Sequence, residues 1–154
     1  MDTYSIPYEV RWTDIDANRH VRYSAYIDAA AEMRYRFFTE HSLSPEEFDK
    51  LGVGPVYTSL TINFYREVLL GETLTITFQI AGLSPLGIRW KVCHDFQKAN
   101  GKKAVSLALE GTFLNLTTRQ PVVPTPEIME VFQRAPRTPA FEAMSDSRWF
   151  GGKL

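Results

Sequence analysis

One long helical signal followed by four stretches that alternate apolar with polar residues limits the fold of this chain more than any other feature. In residues 24–41, SAYIDAAAEMRYRFFTEH, Tyr26, Ala30, Met33 and Phe37 recur at offsets of four, three and four and share one helix face. Asp28, Glu32, Arg36 and Glu40 fall on another face, and Glu32 and Arg36 are spaced for an ion pair. Ser24 is placed to cap the helix, and Asp28 lies near the positive end of its dipole. Ala29, Ala30 and Ala31 keep the helix slim enough for close packing into a sheet.

After the helix the period changes from about 3.6 to 2. Leu60, Ile62 and Phe64 alternate with Ser59, Thr61 and Asn63, and Leu74, Ile76, Phe78 and Ile80 alternate with Thr73, Thr75, Thr77 and Gln79. Ile88, Trp90 and Val92 alternate with Arg89, Lys91 and Cys93, and Val105, Leu107 and Leu109 with Ser106, Ala108 and Glu110. Such alternation marks half-buried strands. The separators Gly71-Glu72, Ser84 to Gly87 and Asn100-Gly101 read as hairpin turns, so consecutive strands are expected to run antiparallel. A further strand is expected at Tyr8 to Trp12, ahead of the helix.

Two short helices complete the pattern. In SPEEFDKLG, Ser44 caps, Pro45 fits the first turn and Gly52 stops the helix; Thr125-Pro126-Glu127 opens another that runs to about Arg134. The whole chain reads as one α+β domain over residues 1–154, with a core of about 5–135 and a loose C-terminal tail over 136–154. A long antiparallel sheet wrapped around one central helix follows from this order. Its open edges call for pairing in a homodimer or a dimer of dimers.

The 154 residues suffice to bury roughly two-thirds of the unfolded chain's surface without disulfides. Cys93 is the single cysteine, and the start MDTYSIPYEVRW lacks the charged and apolar runs of a secretory signal, so a reducing, cytoplasmic setting is expected. No window approaches the roughly 18 apolar residues of a membrane span. A net charge of -1 gives no basic excess for nucleic acid.

The stretch WTDIDANRHV, residues 12–21, concentrates polar chemistry between a strand and the long helix. Asp14, Asp16 and Asn18 have the spacing of the first calcium-loop ligands, but Arg19 stands where the loop requires glycine and Ala25 where it requires a bidentate glutamate. His20 has no partner at zinc-ligand spacing, so no metal is expected. No G-x-S-x-G elbow is present, and Cys93 and His94, adjacent on a strand, point to opposite faces and cannot form a nucleophile pair. What remains is either an ordinary capping turn or a carboxylate set beside the donors of a helix amino terminus. The second arrangement suits carbonyl chemistry: free N–H groups stabilise an oxyanion while a carboxylate activates water or attacks directly.

The run VRWTDIDANRHVRYSAYIDAAAEMR resembles the opening of the hotdog-fold acyl thioesterases of the 4-hydroxybenzoyl-CoA thioesterase type. Asp14, Asp16, Val21, Tyr26, Glu32 and Arg34 match that family's pattern in register, the segment INFYREVLLGETL resembles its second-to-third strand connection, and the order of elements agrees over about residues 5–135. The resemblance implies a hotdog fold and hydrolysis of an acyl thioester carried by coenzyme A or an acyl carrier protein, with no cofactor. It implies that Asp16 acts as base or nucleophile and that the backbone N–H of Tyr23 polarises the thioester carbonyl. His20 is a further candidate, for lining the site or orienting Asp16, and reads equally as a structural histidine.

Around these, Asp14 is expected to order the loop and Arg34 to serve packing and a salt bridge. Glu32 is retained as an outside candidate because other thioesterases of this fold use a glutamate on the central helix. Arg66, Arg89, Lys91, Lys102 and Lys103 read equally as solvated strand faces and as partners for coenzyme A phosphates. The chain departs from the family's usual glycine at Arg19 and asparagine around Arg22 or Tyr23. Two other readings remain on the same fold: a non-catalytic acyl-binding or assembly module, and an enoyl hydratase or dehydratase. The second normally carries D-x-N-P-x-H, whereas here His20 lies four residues after Asp16 and no Asn-Pro occurs.

Overall fold

A computed structural model describes residues 3–146 of the chain. Strand β1 (Tyr4–Glu9) leads through a single 3-10 turn at Trp12–Asp14 to helix α1 (Tyr23–Glu40). Helix α2 (Pro45–Leu51), strands β2 (Val53–Phe64), β3 (Thr73–Leu83), β4 (Trp90–Gln97) and β5 (Lys103–Asn115), helix α3 (Pro126–Arg134) and strand β6 (Arg137–Ala143) follow. The strands form one sheet in the order β1-β3-β4-β5-β2, antiparallel throughout that path, with β6 parallel to β3.

Helix α1 lies on one face of the sheet because its apolar stripe has nowhere else to go. Tyr26, Ala30, Met33 and Phe37 are all buried, as their spacing predicts. The Phe37 ring stacks on Phe78 of β3 at 4.1 Å between centroids, and Tyr26 meets Phe96 of β4 edge-on at 5.2 Å. Enclosing an aromatic side chain of this size contributes roughly 1.5–3 kcal/mol. On the solvent side Glu32 and Arg36 pair at 3.0 Å, as expected.

Local rules account for most turns. Gly87 and Gly101 take the left-handed conformations (φ 73° and 80°) that the β3–β4 and β4–β5 hairpins require. Ser44 accepts a hydrogen bond from the Glu47 backbone at 3.2 Å, and Gly52 ends α2 with φ 68°.

Four expectations change. The Gly71-Glu72 segment is not a hairpin between neighbours, because β2 pairs with β5: Leu60 faces Leu109 and Ile62 faces Leu107. Alternation identifies strands but not their partners, so residues 65–72 become a crossover from the β2 edge to β3. The first strand ends at Glu9 rather than continuing to Trp12, because hydrogen bonds to the buried Asp14 carboxylate turn the chain there. Helix α1 starts at Tyr23, and the Ser24 hydroxyl accepts from the Arg22 guanidinium instead of capping. Part of the expected tail is β6, held to β3 by the Ile80 N–H donating to the Pro136 carbonyl at 2.7 Å and by Phe141 packing on the core. Residues 147–154 of that tail lie outside the described residues.

Among the described glycines, Gly111 of β5 is the most tightly enclosed. A Cβ there would come within 2.3 Å of the Trp90 ring and 2.4 Å of the Val56 carbonyl oxygen. Neither can withdraw without disturbing β2 or the core. Gly111→Ala is therefore expected to destabilise the fold by about 1–3 kcal/mol, read as a lower urea midpoint.

Candidate active site

Asp14 and Asp16 are two residues apart and meet different partners. Asp14 is 1% exposed. Its Oδ2 accepts from the Tyr8 hydroxyl at 2.6 Å and from the Arg11 backbone at 2.9 Å, and its carbonyl accepts from the Arg22 N–H at 2.8 Å. Burial alone would raise this carboxyl, but the donors from Tyr8 and Arg11 outweigh it and hold it below the usual carboxylate range. Asp14 therefore orders the loop, as the sequence suggested.

Asp16 is left to face outward from a tight turn. Its backbone N–H donates to the His20 carbonyl at 2.9 Å, and an isolated bridge joins Ile15 to Val21. Closing this turn puts Arg19 at φ 65°, the left-handed region, which accounts for the family's glycine at that position. The Asp16 Oδ1 accepts from the Asn18 N–H at 2.9 Å, and Oδ2 lies 3.1 Å from His20 Nδ1. His20 Nδ1 is also 3.3 Å from the Val21 carbonyl. Both neighbours are acceptors, so Nδ1 carries the proton and the ring donates to Asp16.

The start of α1 completes the site. Arg22 occupies the cap position and makes no side-chain cap hydrogen bond, and the N–H groups of Tyr23 and Ser24 donate to no described residue. They belong to the unpaired donors at the positive end of an 18-residue helix. Asp16, His20, Val21, Tyr23 and Tyr26 line a pocket of about 420 Å³ whose other wall is Phe64 to Val68. The crossover is held there by the Val21 N–H donating to the Val68 carbonyl at 2.8 Å and by Lys98, 3.1 Å from Glu72. The Tyr26 phenol is pushed up to about 12, by burial first and then by the charges of Glu72 and Asp16, so it stays protonated as a donor.

With these residues in place, the chain matches the thioesterase-like superfamily over residues 10–132. The chain belongs to that superfamily. Its members' architecture, the hotdog fold, is the one described above, and membership supports thioester hydrolysis as the general chemistry. A 1,4-dihydroxy-2-naphthoyl-CoA thioesterase from Synechocystis superimposes with a TM-score of 0.76 at 13% identity, covering 86% of this chain and 96% of that one. A Staphylococcus aureus protein solved in complex with CoA gives 0.77 at 20% identity, covering 99% and 94%. A DHNA-CoA thioesterase from the same organism gives 0.75 at 16%, covering 85% and 89%. No curated protein sequence matches the chain.

For this thioesterase-like chain the structure brings Asp16, His20 and Tyr23 to one pocket and places Glu32 apart from it, on the exposed side of α1. Of the basic residues considered for coenzyme A, Arg66 lines the pocket, while Arg89 and Lys91 approach Glu110. Lys103 pairs with Asp95 at 2.9 Å. Glu67 and Val68 were not legible as pocket residues, because their place depends on the crossover rather than on any local motif. Arg34 forms no ion pair with a described residue: Nε donates to the Tyr57 hydroxyl at 3.0 Å and Nη1 to His94 Nε2 at 3.1 Å. Cys93 and His94 do face opposite sides of β4, and burial followed by the Arg34 charge pushes His94 down to about 3. Among the described residues, no helix is long and apolar enough to cross a membrane.

Asp14's lowered folded-state pKa contributes stability that is complete above the unfolded value and is lost as pH falls through the folded one. Asp14→Asn is expected to cost about 1–3 kcal/mol near neutral pH. The gap from the parent protein should narrow below about pH 4, as followed by chemical denaturation across pH.

Proposed function

We propose that the protein hydrolyses an acyl thioester of coenzyme A or of an acyl carrier protein, with the reacting carbonyl held between Asp16 and the first turn of α1. The observation that carries this reading is the shared pocket, in which a carboxylate 28% exposed stands beside a helix terminus with unspent N–H donors. The Tyr23 N–H donates to the thioester oxygen as negative charge develops on it, and the helix dipole adds to the hydrogen bond.

Asp16 then takes a proton from water as the water oxygen attacks the carbonyl carbon, the C–S bond breaks, and the proton passes to the departing thiolate. Direct attack by Asp16, giving an anhydride that water opens, uses the same placement. His20 Nδ1–H fixes the carboxylate's orientation in either route, and Tyr26 supplies a neutral donor on the pocket floor. The CoA-bound staphylococcal protein, similar over nearly the whole chain, supports a CoA-type carrier.

Asp16→Asn is expected to lower kcat by at least about 100-fold, the range for removing a general base, with circular dichroism unchanged. Thiol release from short, long and aromatic acyl-CoA substrates is the measurement. Equal rates in parent and variant would remove Asp16 from the chemistry, and acyl-CoA binding without thiol release by either protein would favour the binding module.

The same reading includes a homodimer. β2 ends the sheet with a free edge and exposes Tyr57, Leu60 and Phe64, a row of large apolar side chains on an unprotected strand. Pairing of two such edges would satisfy the free backbone N–H and C=O groups along β2. Sedimentation at micromolar concentration should therefore return twice the chain mass of 17.6 kDa or a higher even multiple.

A further inference from the structure

A buried cation normally has a counter-charge, because an unpaired one loses hydration without recompense. Arg34 is an exception here. It is 8% exposed, yet its two hydrogen bonds go to the neutral Tyr57 hydroxyl and the neutral His94 ring. The tautomer follows from geometry: His94 Nδ1 faces the Thr77 carbonyl at 3.1 Å and so carries the proton, leaving Nε2 to accept from Arg34. Two of the five guanidinium N–H donors are used. Nη2 donates to no described residue, and it is not sealed off from the surface. A second donor nearby is also idle: Trp90, whose ring meets Tyr57 edge-on at 5.5 Å, has a fully enclosed Nε1–H without an acceptor among the described residues.

Where this cluster sits decides what it is for. The bulge between Tyr57 and Ser59 puts Tyr57 opposite Gly111, Leu60 opposite Leu109, Ile62 opposite Leu107 and Phe64 opposite Val105. The four side chains therefore share the sheet face that α1 occupies; α1 lies mainly over β3 and meets this row only through Tyr26 against Phe64 and Arg34 against Tyr57, so Ile62 is partly buried and the other three stay largely exposed. Tyr57, Leu60 and Phe64 are 44%, 40% and 55% exposed. They form an apolar lane that begins at the Asp16 pocket, which Phe64 lines, and ends where the Tyr57 ring lies 4.9 Å over the Arg34 guanidinium. At ~3.3 Å per strand residue the lane is about 20 Å long.

We infer that Arg34, covered by Tyr57, recognises a carboxylate at the far end of a long acyl chain laid along β2, so that the preferred substrates are ω-carboxyacyl thioesters. This rests on the thioester reading above for the reacting end, while the anion site itself does not. An apolar lane alone fits any fatty acyl chain. A guanidinium with spare donors at its end is wasted on a methyl terminus and matched by a carboxylate.

The test compares kcat/KM for a long-chain ω-carboxyacyl-CoA and for the unsubstituted acyl-CoA of equal length. The parent protein should favour the first by about 10-fold or more, the range of a charge-assisted hydrogen bond. In Arg34→Met, which keeps the volume but not the charge, that ratio should collapse to near one, and Arg34→Lys should restore part of it. The ratio is internal to each variant, so a general loss of folding does not imitate the effect. A parent protein without preference, or an equal preference in Arg34→Met, overturns the inference.

Calorimetric binding of decanoate against decanol separates the two readings. If no thioester is cleaved, tighter decanoate binding that Arg34→Met abolishes still supports the anion site, and equal binding of both overturns it. If Arg34→Met dissociates the oligomer while the ligand preference persists, Arg34 belongs to the interface and the inference is wrong.

Discussion

Burial of the α1 stripe is the interaction on which the rest of this structure depends. Tyr26, Ala30, Met33 and Phe37 can leave water only by lying on the sheet, and the stacking of Phe37 on Phe78 and the edge contact of Tyr26 with Phe96 lock the helix in rotation and translation. Once that is done, the helix amino terminus has a fixed address. Its unpaired donors then face whatever the preceding loop presents, and a rigid origin for a dipole is what carbonyl polarisation requires.

The loop shows how environment separates two chemically identical side chains. Asp14 is drawn inward because Tyr8 and Arg11 offer donors that satisfy a buried carboxylate, and its ionisation then contributes to stability. Asp16, in a turn closed by its own backbone and by a strained Arg19, keeps one oxygen on Asn18 and the other on His20 and remains at the pocket surface. One aspartate builds the scaffold so that the other can face a ligand. The D-x-D spacing that suggests a cation loop thus gives two single-carboxylate environments.

The uncovered face of β2 is the other consequence of helix placement. An 18-residue helix seated over β3 cannot also shield the far edge of the sheet. That edge carries its apolar side chains into the open, and Arg34, on the flank of α1 turned toward it, finds tyrosine and histidine where a carboxylate would be usual. Edge, lane and guanidinium belong to one region of the molecule, continuous with the Asp16 pocket through Phe64.

Elements and their types were legible in the sequence because periodicity and end signals are local: the buried face of α1, the alternating strands, and the Ser44 and Gly52 ends of α2 all follow from residues within a few positions of one another. The position of Asp16 ahead of a helix start was legible for the same reason. Strand partners were not, since a period of two says that a side chain is half-buried but not against which neighbour, and β2 went to β5 rather than to β3. Nor was β6, a proline-containing strand whose order comes from β3, or the pocket wall from Phe64 to Val68, which exists because a crossover must span the sheet. The sequence by itself determined which segments are helix or strand and where a carboxylate meets a helix terminus; only tertiary structure decided what closes around that carboxylate and that Arg34 has no counter-ion among the described residues, because both depend on contacts between residues distant along the chain.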